Sequence, residues 1–278
     1  MLIEPAIRTE DGKPAGALIV NADDWGRTSE TTDRTLECVH RRSVSSVSAM
    51  VFMKDSERAA ALAGQHGVDA GLHVNLTTGF SAQHTPARLK ESQRKLAEFL
   101  ARNSFTRAIF NPLLARSFEY AFEAQRDEFT RLYGSAPDRF DGHHHMHLCA
   151  NVLCQGLLPR GTIIRRHFSY EPQEKMLRHG IFRLLTDMAL TRRHRMTDHF
   201  FSLPPLEPFG RLKRIFTLAC HSVVELETHP VNPEEYRYLA GGEMLRCVGD
   251  CRIADHYAAK QICNVDPRKL DRMIEPHI

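Results

Sequence analysis

Short apolar runs alternate along this chain with longer stretches of helical periodicity. Ala17-Leu18-Ile19-Val20 is the first continuous apolar run, and a run of that kind suits a strand buried on both faces of a parallel sheet. It ends in Asn21-Ala22-Asp23-Asp24-Trp25-Gly26. Thr28 or Ser29 then caps a helix through Leu36, Cys38 and Val39. Small and β-branched residues from Val44 to Val51 predict a second strand. Ser56 to Gln65 reads as a helix stopped by Gly67, and Val68 to Asn75 holds a third strand. Strand, helix, strand in this order predicts an α/β fold with parallel strands.

Residues 80–118 break that rhythm. They are polar and basic, with helical stretches around Leu89–Leu100 and Phe105–Phe118, and read as an insertion suited to a lid or an oligomer surface. Phe118 to Tyr133 is amphipathic, with Phe122, Phe129 and Leu132 in register and Gly134 as its stop. Further strands are expected within Pro137–Leu148, at Gly161–Arg165 and at Val223–Leu226. The stretch 171–216, rich in Arg, Phe and Leu, reads as a variable loop or helical excursion, and Asp255 to Ile262 as a helix. The expectation is one domain over residues 1–278, with insertions near 80–118 and 171–216.

Composition narrows the function. The 278 residues carry 37 Lys and Arg against 34 Asp and Glu, a net charge of +3 that gives no electrostatic case for nucleic acid. Seven irregularly spaced cysteines suit reduced thiols and a cytoplasmic setting. Neither a signal peptide nor a membrane span is expected, since no apolar run approaches about 20 residues. Sixteen histidines are many for this length, and their clustering matters.

In α/β folds the site gathers at the C-terminal ends of the strands. Those ends carry Asp23-Asp24, then His73 and Asn75, then Asp141-Gly142-His143-His144-His145-Met146-His147, and later His229. If the histidine run is extended, His143, His145 and His147 share one face and can serve a divalent ion. Adjacent Asp23 and Asp24 repel unless a cation or proton lies between them, although two Asp also suit a helix N-terminus. A lone His73 in an apolar strand is otherwise a core residue. Together they offer one Asp and two His with coordination positions left for water, as in a catalytic metal site. Such a site lowers the pKa of bound water to about 7 and polarises a carbonyl, which suits amide or ester hydrolysis.

These segments carry a resemblance. Leu18–Gly26, Gly71–Thr77, Asp141–His147 and Glu225–Pro230 resemble, in order, four motifs of the YdjC/ChbG family of carbohydrate deacetylases. The resemblance implies a (β/α)-barrel-like fold and removal of an N-acetyl group from an amino sugar. It implies Asp24, His73 and His143 as metal ligands and Asp23 as general base. His229 is the candidate general acid. His145 falls in the second shell or against substrate, Asn75 is grouped with it, and Arg165 is a substrate or charge-tuning residue. Two positions depart from the pattern: Trp25 stands for a Phe, and Glu227 for a Met or Val.

The leading expectation is therefore a hydrolase using one divalent ion, zinc or magnesium, on an oligosaccharide, glycolipid or nucleotide-linked sugar, with a homo-oligomer left open. The alternatives are a metal-dependent phosphoesterase, which needs a second ion about 4 Å from the first, and a sugar-binding protein without turnover.

Overall fold

The computed structural model describes residues 16–103, 105–169, 179–249 and 251–257. Seven parallel strands form one sheet: β1 (Ala17–Trp25), β2 (Ser46–Ala49), β3 (Ala70–Val74), β4 (Arg139–Gly142), β5 (Ile163–Ile164), β6 (His199–Ser202) and β7 (Val223–Thr228), in the order β5-β4-β3-β2-β1-β7-β6. The sheet curls into a half-barrel ringed by helices. Between β5 and β6 the opening is partly spanned by Arg195, whose N–H donates to Thr162 and whose carbonyl accepts from Ile164.

Side chains alternate across every strand. On the outer face Leu18, Val20, Ala22, Val47, Leu72, Val74, Phe140, Val224 and Leu226 join one apolar core with the helices. The inner face carries Asn21, Asp23, Ser46, Ser48, His73, Arg139, Asp141, Arg165, Glu225 and Glu227, all buried. Its floor is apolar, where Ala17, Ile19, Val223 and Ala254 form a small cluster, and Phe200 joins this face from β6 with its ring centroid 4.9 Å from the Arg165 guanidinium. Residues 251–257 close that floor: Leu18 N–H donates to Arg252, and Ala254 N–H to Leu18.

The helices follow their local signals. In α1 (Ser29–His40) the Thr28 hydroxyl accepts from Thr31 N–H. Gly67 and Gly134, both left-handed, end α2 (Ser56–His66) and α4 (Ala115–Tyr133) as expected. The first insertion differs from expectation in part. Its helix α3 (Ala87–Ala101) forms, but Phe105–Phe118 does not make a second helix: 3₁₀ turns at Thr106–Ala108 and Pro112–Leu114 precede α4. Pro112 cannot donate an N–H and disfavours helix at Asn111, which explains the break.

The stretch 171–216 is not an excursion from the sheet. Its described part holds α6 (His179–Thr191), strand β6 and the start of α7 (Gly210–Ala219), and β6 pairs with β7 from His199↔Val224 to Ser202↔Glu227. Short α5 (Ala150–Gln155) lies before β5, and α8 (Pro233–Ala240) and α9 (Glu243–Val248) follow β7. The helix expected over Asp255–Ile262 lies mostly outside the described residues. Among those described, no helix is long and apolar enough to cross a membrane.

Candidate active site

The site lies where β1, β3, β4 and β7 end. Adjacent strand residues normally face opposite ways, yet Asp23 and Asp24 both reach it. The β1–β2 register shifts between Ala22 and Trp25, and Asp24 takes a left-handed backbone (φ 65°). Such an irregularity re-aims a side chain, and Asp is among the few residues that tolerate this conformation.

Asp24, His73 and His143 converge. His143 Nδ1 lies 2.9 Å and His73 Nε2 3.5 Å from Asp24 Oδ1. All three are buried, and one ligand atom from each lies within 4.8 Å of the others. His73 Nδ1 is 2.7 Å from Asp141 Oδ1. An ionised carboxylate only accepts, so Nδ1 carries a proton, and Nε2 faces the aspartates. A carboxylate behind an imidazole in this way orients a metal ligand. Burial works against protonation of His73, but Asp23 and Asp141 outweigh it and raise the pKa.

The donor set fits a cation. Among the described residues Asp24 Oδ1 is buried without a hydrogen bond, His143 Nδ1 standing 2.9 Å away but not aligned for one, an arrangement that costs free energy unless something else satisfies the oxygen. Negative charge is also in excess. Burial opposes ionisation of Asp23, Asp24, Asp141 and Glu225, yet neighbouring Arg165 or imidazoles hold each pKa below the usual carboxylate range. Against these four stand Arg165, His73 with its raised pKa, and the more exposed Arg27, whose Nη1 donates to Asp24 Oδ2 at 2.8 Å.

Arg165 is the hub of the inner face. Its Nη1 and Nη2 clasp Asp23 at 2.7 and 2.8 Å, its Nε donates to Glu225 at 2.7 Å, and Nη2 lies 3.0 Å from Asp141. Its side chain is 1% exposed, so it tunes charge and does not line an open subsite. Asn75, expected beside the substrate, has a different task. Its Oδ1 accepts from Thr77 and Thr78 N–H, and its Nδ2 donates to Thr78, so its polar atoms shape the loop after β3.

The histidine run is not extended, and its side chains do not share a face as expected. His143–Leu148 coils into 3₁₀ turns with His144 and His145 left-handed (φ 56° and 58°). Only His143 joins Asp24. His147 points inward, and its Nε2–H donates to the Arg165 carbonyl at 2.9 Å. Burial pushes its pKa down to about 4, so the ring is a neutral strut. Gly142 admits this packing, since a Cβ there would come within 2.8 Å of His147 N. His145 stands apart against Phe168 and Phe200, its Nε2 3.7 Å from Glu227 Oε1. Burial lowers its pKa to about 3. Behind it lies a cavity of about 320 Å³ lined by Arg107, Leu148, Cys149, His167, Phe168 and Arg183.

Glu227 faces the site and is 5% exposed. Burial and the charge of Asp23 push its pKa well up, which favours the protonated form. His229 Nε2 lies 3.9 Å from Glu227 Oε1. Burial lowers the pKa of His229, and its backbone N–H donates to Glu235 Oε2 at 2.7 Å. The roles of Asp141, Glu225, His147 and Glu235 were not read from the sequence. Glu225 sits two residues from Glu227 on the same face of β7, and Asp141 sits at the end of β4 just before His143; those positions are the signal that could have found them.

Comparisons place the chain among known proteins. Residues 17–246 match the family model described as YdjC-like protein. A mouse protein named carbohydrate deacetylase is 34% identical over 145 residues, covering 51% of this chain and 46% of that protein. A Serratia marcescens protein named chitooligosaccharide deacetylase is 34% identical over 132 residues, covering 47% of this chain and 50% of that protein. The chain thus spans about half the length of the curated relatives it matches. A solved structure from Enterococcus faecalis, provisionally described as a cellobiose-phosphate cleavage protein, superposes with a TM-score of 0.64 at 18% identity. It covers 88% of this chain and 99% of its own, and the likeness is one of fold.

Proposed function

We propose, from the premise that this chain belongs to the YdjC-like family, that it hydrolyses the acetamide of an N-acetylated amino sugar with one divalent cation. The observation that carries the reading is the convergence of buried Asp24, His73 and His143 beside a second carboxylate, Asp23. The names of the curated relatives agree with it.

Asp24, His73 and His143 would hold the cation, and two imidazoles with one carboxylate suit zinc better than magnesium. Bound there, it would polarise the acetamide carbonyl and acidify a water. Asp23 is the base that takes the water proton, and Arg165 fixes its carboxylate in position. Glu227, whose pKa is raised, lies beside both Asp23 and His229, with one ligand atom of each of the three within 4.8 Å of the others. His229 delivers a proton to the leaving amine, and its lowered pKa makes its charged form a stronger acid. His145, beside the cavity, is the candidate substrate contact.

The phosphoesterase alternative needs a second cation. Asp23, Glu227 and His229 come close enough to offer ligands, but Arg165 already places a fixed positive charge 2.7 Å from Asp23 and 3.8 Å from Glu227. That charge opposes a second ion. The test is acetate release from a panel of N-acetylated sugars, with and without a chelator. Release that the chelator stops and added metal restores is expected. Phosphate release from a diester, or sugar binding without turnover under any metal, would overturn the reading.

A further inference from the structure

Nine large apolar side chains stand exposed among the described residues, and four of them fall within nine consecutive positions. Phe105, Ile109, Phe110 and Leu113 are 67%, 54%, 42% and 91% exposed. They lie on and beside the two 3₁₀ turns between α3 and α4, and those turns are anchored from beneath. Thr106 is buried, and its hydroxyl donates to Leu100 at 3.2 Å. Asn111 and Asn151 exchange two hydrogen bonds, each 2.9 Å, which ties the second turn to α5. The backbone is thus fixed with its apolar side chains turned outward, a cost that a functional contact would explain.

The surrounding charge is mainly positive, although Glu98, paired with Arg94, and Glu119 flank the turns. Residues 99–118 contain Arg102, Arg107 and Arg116 and no Asp or Glu. All three arginines are exposed, and none makes an ion pair among the described residues. Arg107 also lines the cavity behind His145, so this platform borders the proposed site.

We infer that Phe105–Leu113 docks the protein on an anionic lipid surface, with the apolar side chains entering the headgroup layer and the arginines meeting its negative charge. Projecting apolar residues flanked by arginines suit an interfacial contact. A second copy suits it less, because a two-fold contact centred here would set the arginines against their own symmetry mates. Docking in this pose brings Arg107, which lines the His145 cavity, to the headgroup layer. The inference stands independently of the chemistry proposed for the site.

The experiment sediments the full chain with vesicles of phosphatidylcholine alone and of phosphatidylcholine with roughly a third phosphatidylglycerol, at low and at high salt. Binding to the anionic vesicles that weakens with salt is expected. Leu113→Asp and Ile109→Asp should weaken it about tenfold or more, and Arg116→Glu at least about fivefold. Acetate release from a small N-acetylated sugar should stay at the parent level in Leu113→Asp. If neither protein releases acetate, the deacetylase reading fails, circular dichroism reports folding instead, and the vesicle result still decides the docking. No binding to anionic vesicles, or binding that these variants leave intact, would overturn the inference. So would a dimer of the parent chain that Leu113→Asp dissolves, since the face would then belong to a second copy.

Discussion

Val224 and Leu226 point to one side of β7 and Glu225 and Glu227 to the other, and the two sides are stabilised by different physics. Outside, the side chains are apolar, buried and packed against helices, so their contribution scales with area and has no direction. Inside, nearly every polar atom is tied to a specific partner, with Arg165 reaching Asp23, Asp141 and Glu225 at once. A desolvated charge is tolerated only while its partners remain, so the inner residues hold or fail as a set. The exceptions are informative. Among the described residues Arg139 Nε, His143 Nε2, His147 Nδ1 and Asp24 Oδ1 lack partners, and Asp24 Oδ1 is the one that faces the proposed cation.

The largest expected effect falls on the inner face and on turnover. Asp23→Asn should lower acetate release about 10²- to 10⁴-fold, the usual worth of a general base. Metal content measured after dialysis should be unchanged, because Asp24, His73 and His143 remain. Loss of metal together with turnover would instead place Asp23 among the ligands.

Stability should divide the faces next. Arg165→Met leaves Asp23, Asp141 and Glu225 buried without their cation, and should destabilise the fold by about 3–5 kcal/mol. Leu226→Ala, on the opposite face of the neighbouring part of the sheet, removes apolar packing and should cost about 2–5 kcal/mol. Chemical denaturation measures both. The magnitudes overlap, but activity separates them: below its melting temperature the Leu226 variant should retain turnover, and the Arg165 variant should not. An Arg165 variant as stable as the parent chain would mean that charge does not hold the inner face.

The outer face was also the legible one. A continuous apolar run gives β1 away, and short stretches of small, β-branched or apolar residues mark β2, β3 and β7. Gly67 and Gly134 mark helix ends because their left-handed backbones favour glycine. Strand β6, His199-Phe200-Phe201-Ser202, was missed because two apolar residues between polar ones give too little pattern. The inner face is harder to read. Its polar residues resemble loop residues until the sheet brings strands from distant parts of the chain together. Asp23, Asp24, His73 and His143 could be picked out by chemistry and by the resemblance. That Asp141 orients His73, or that His147 supports Arg165, depends on contacts across strands. Nor does the sequence announce the left-handed backbones at His144 and His145, which turn a strand-like run of histidines into a coil.

The smallest effect concerns pH, and it also separates the faces. Burial lifts the Glu235 carboxyl to about 7, whereas in the unfolded chain it titrates near its ordinary value of about 4.5. Between those values the folded state holds a proton that the unfolded state has released. Stability from this group is therefore full below about 4.5 and falls as pH rises towards 7, by no more than about 1.4 kcal/mol per pH unit. Glu225 and Asp69 act with the opposite sign. Burial opposes their ionisation, but Arg165 and Arg139 outweigh it and depress both pKa values. Their contribution is present above about 4 and is lost as pH falls further. Glu235→Gln keeps an acceptor for the His229 N–H and cannot ionise, so it should flatten the decline towards neutral pH and leave the acid side unchanged. Leu226→Ala, which touches no titrating group, should lower the whole curve without changing its shape. Unfolding free energies measured from about pH 4 to 8 test both, and a Gln variant with the parent's slope would remove Glu235 as the source of the decline.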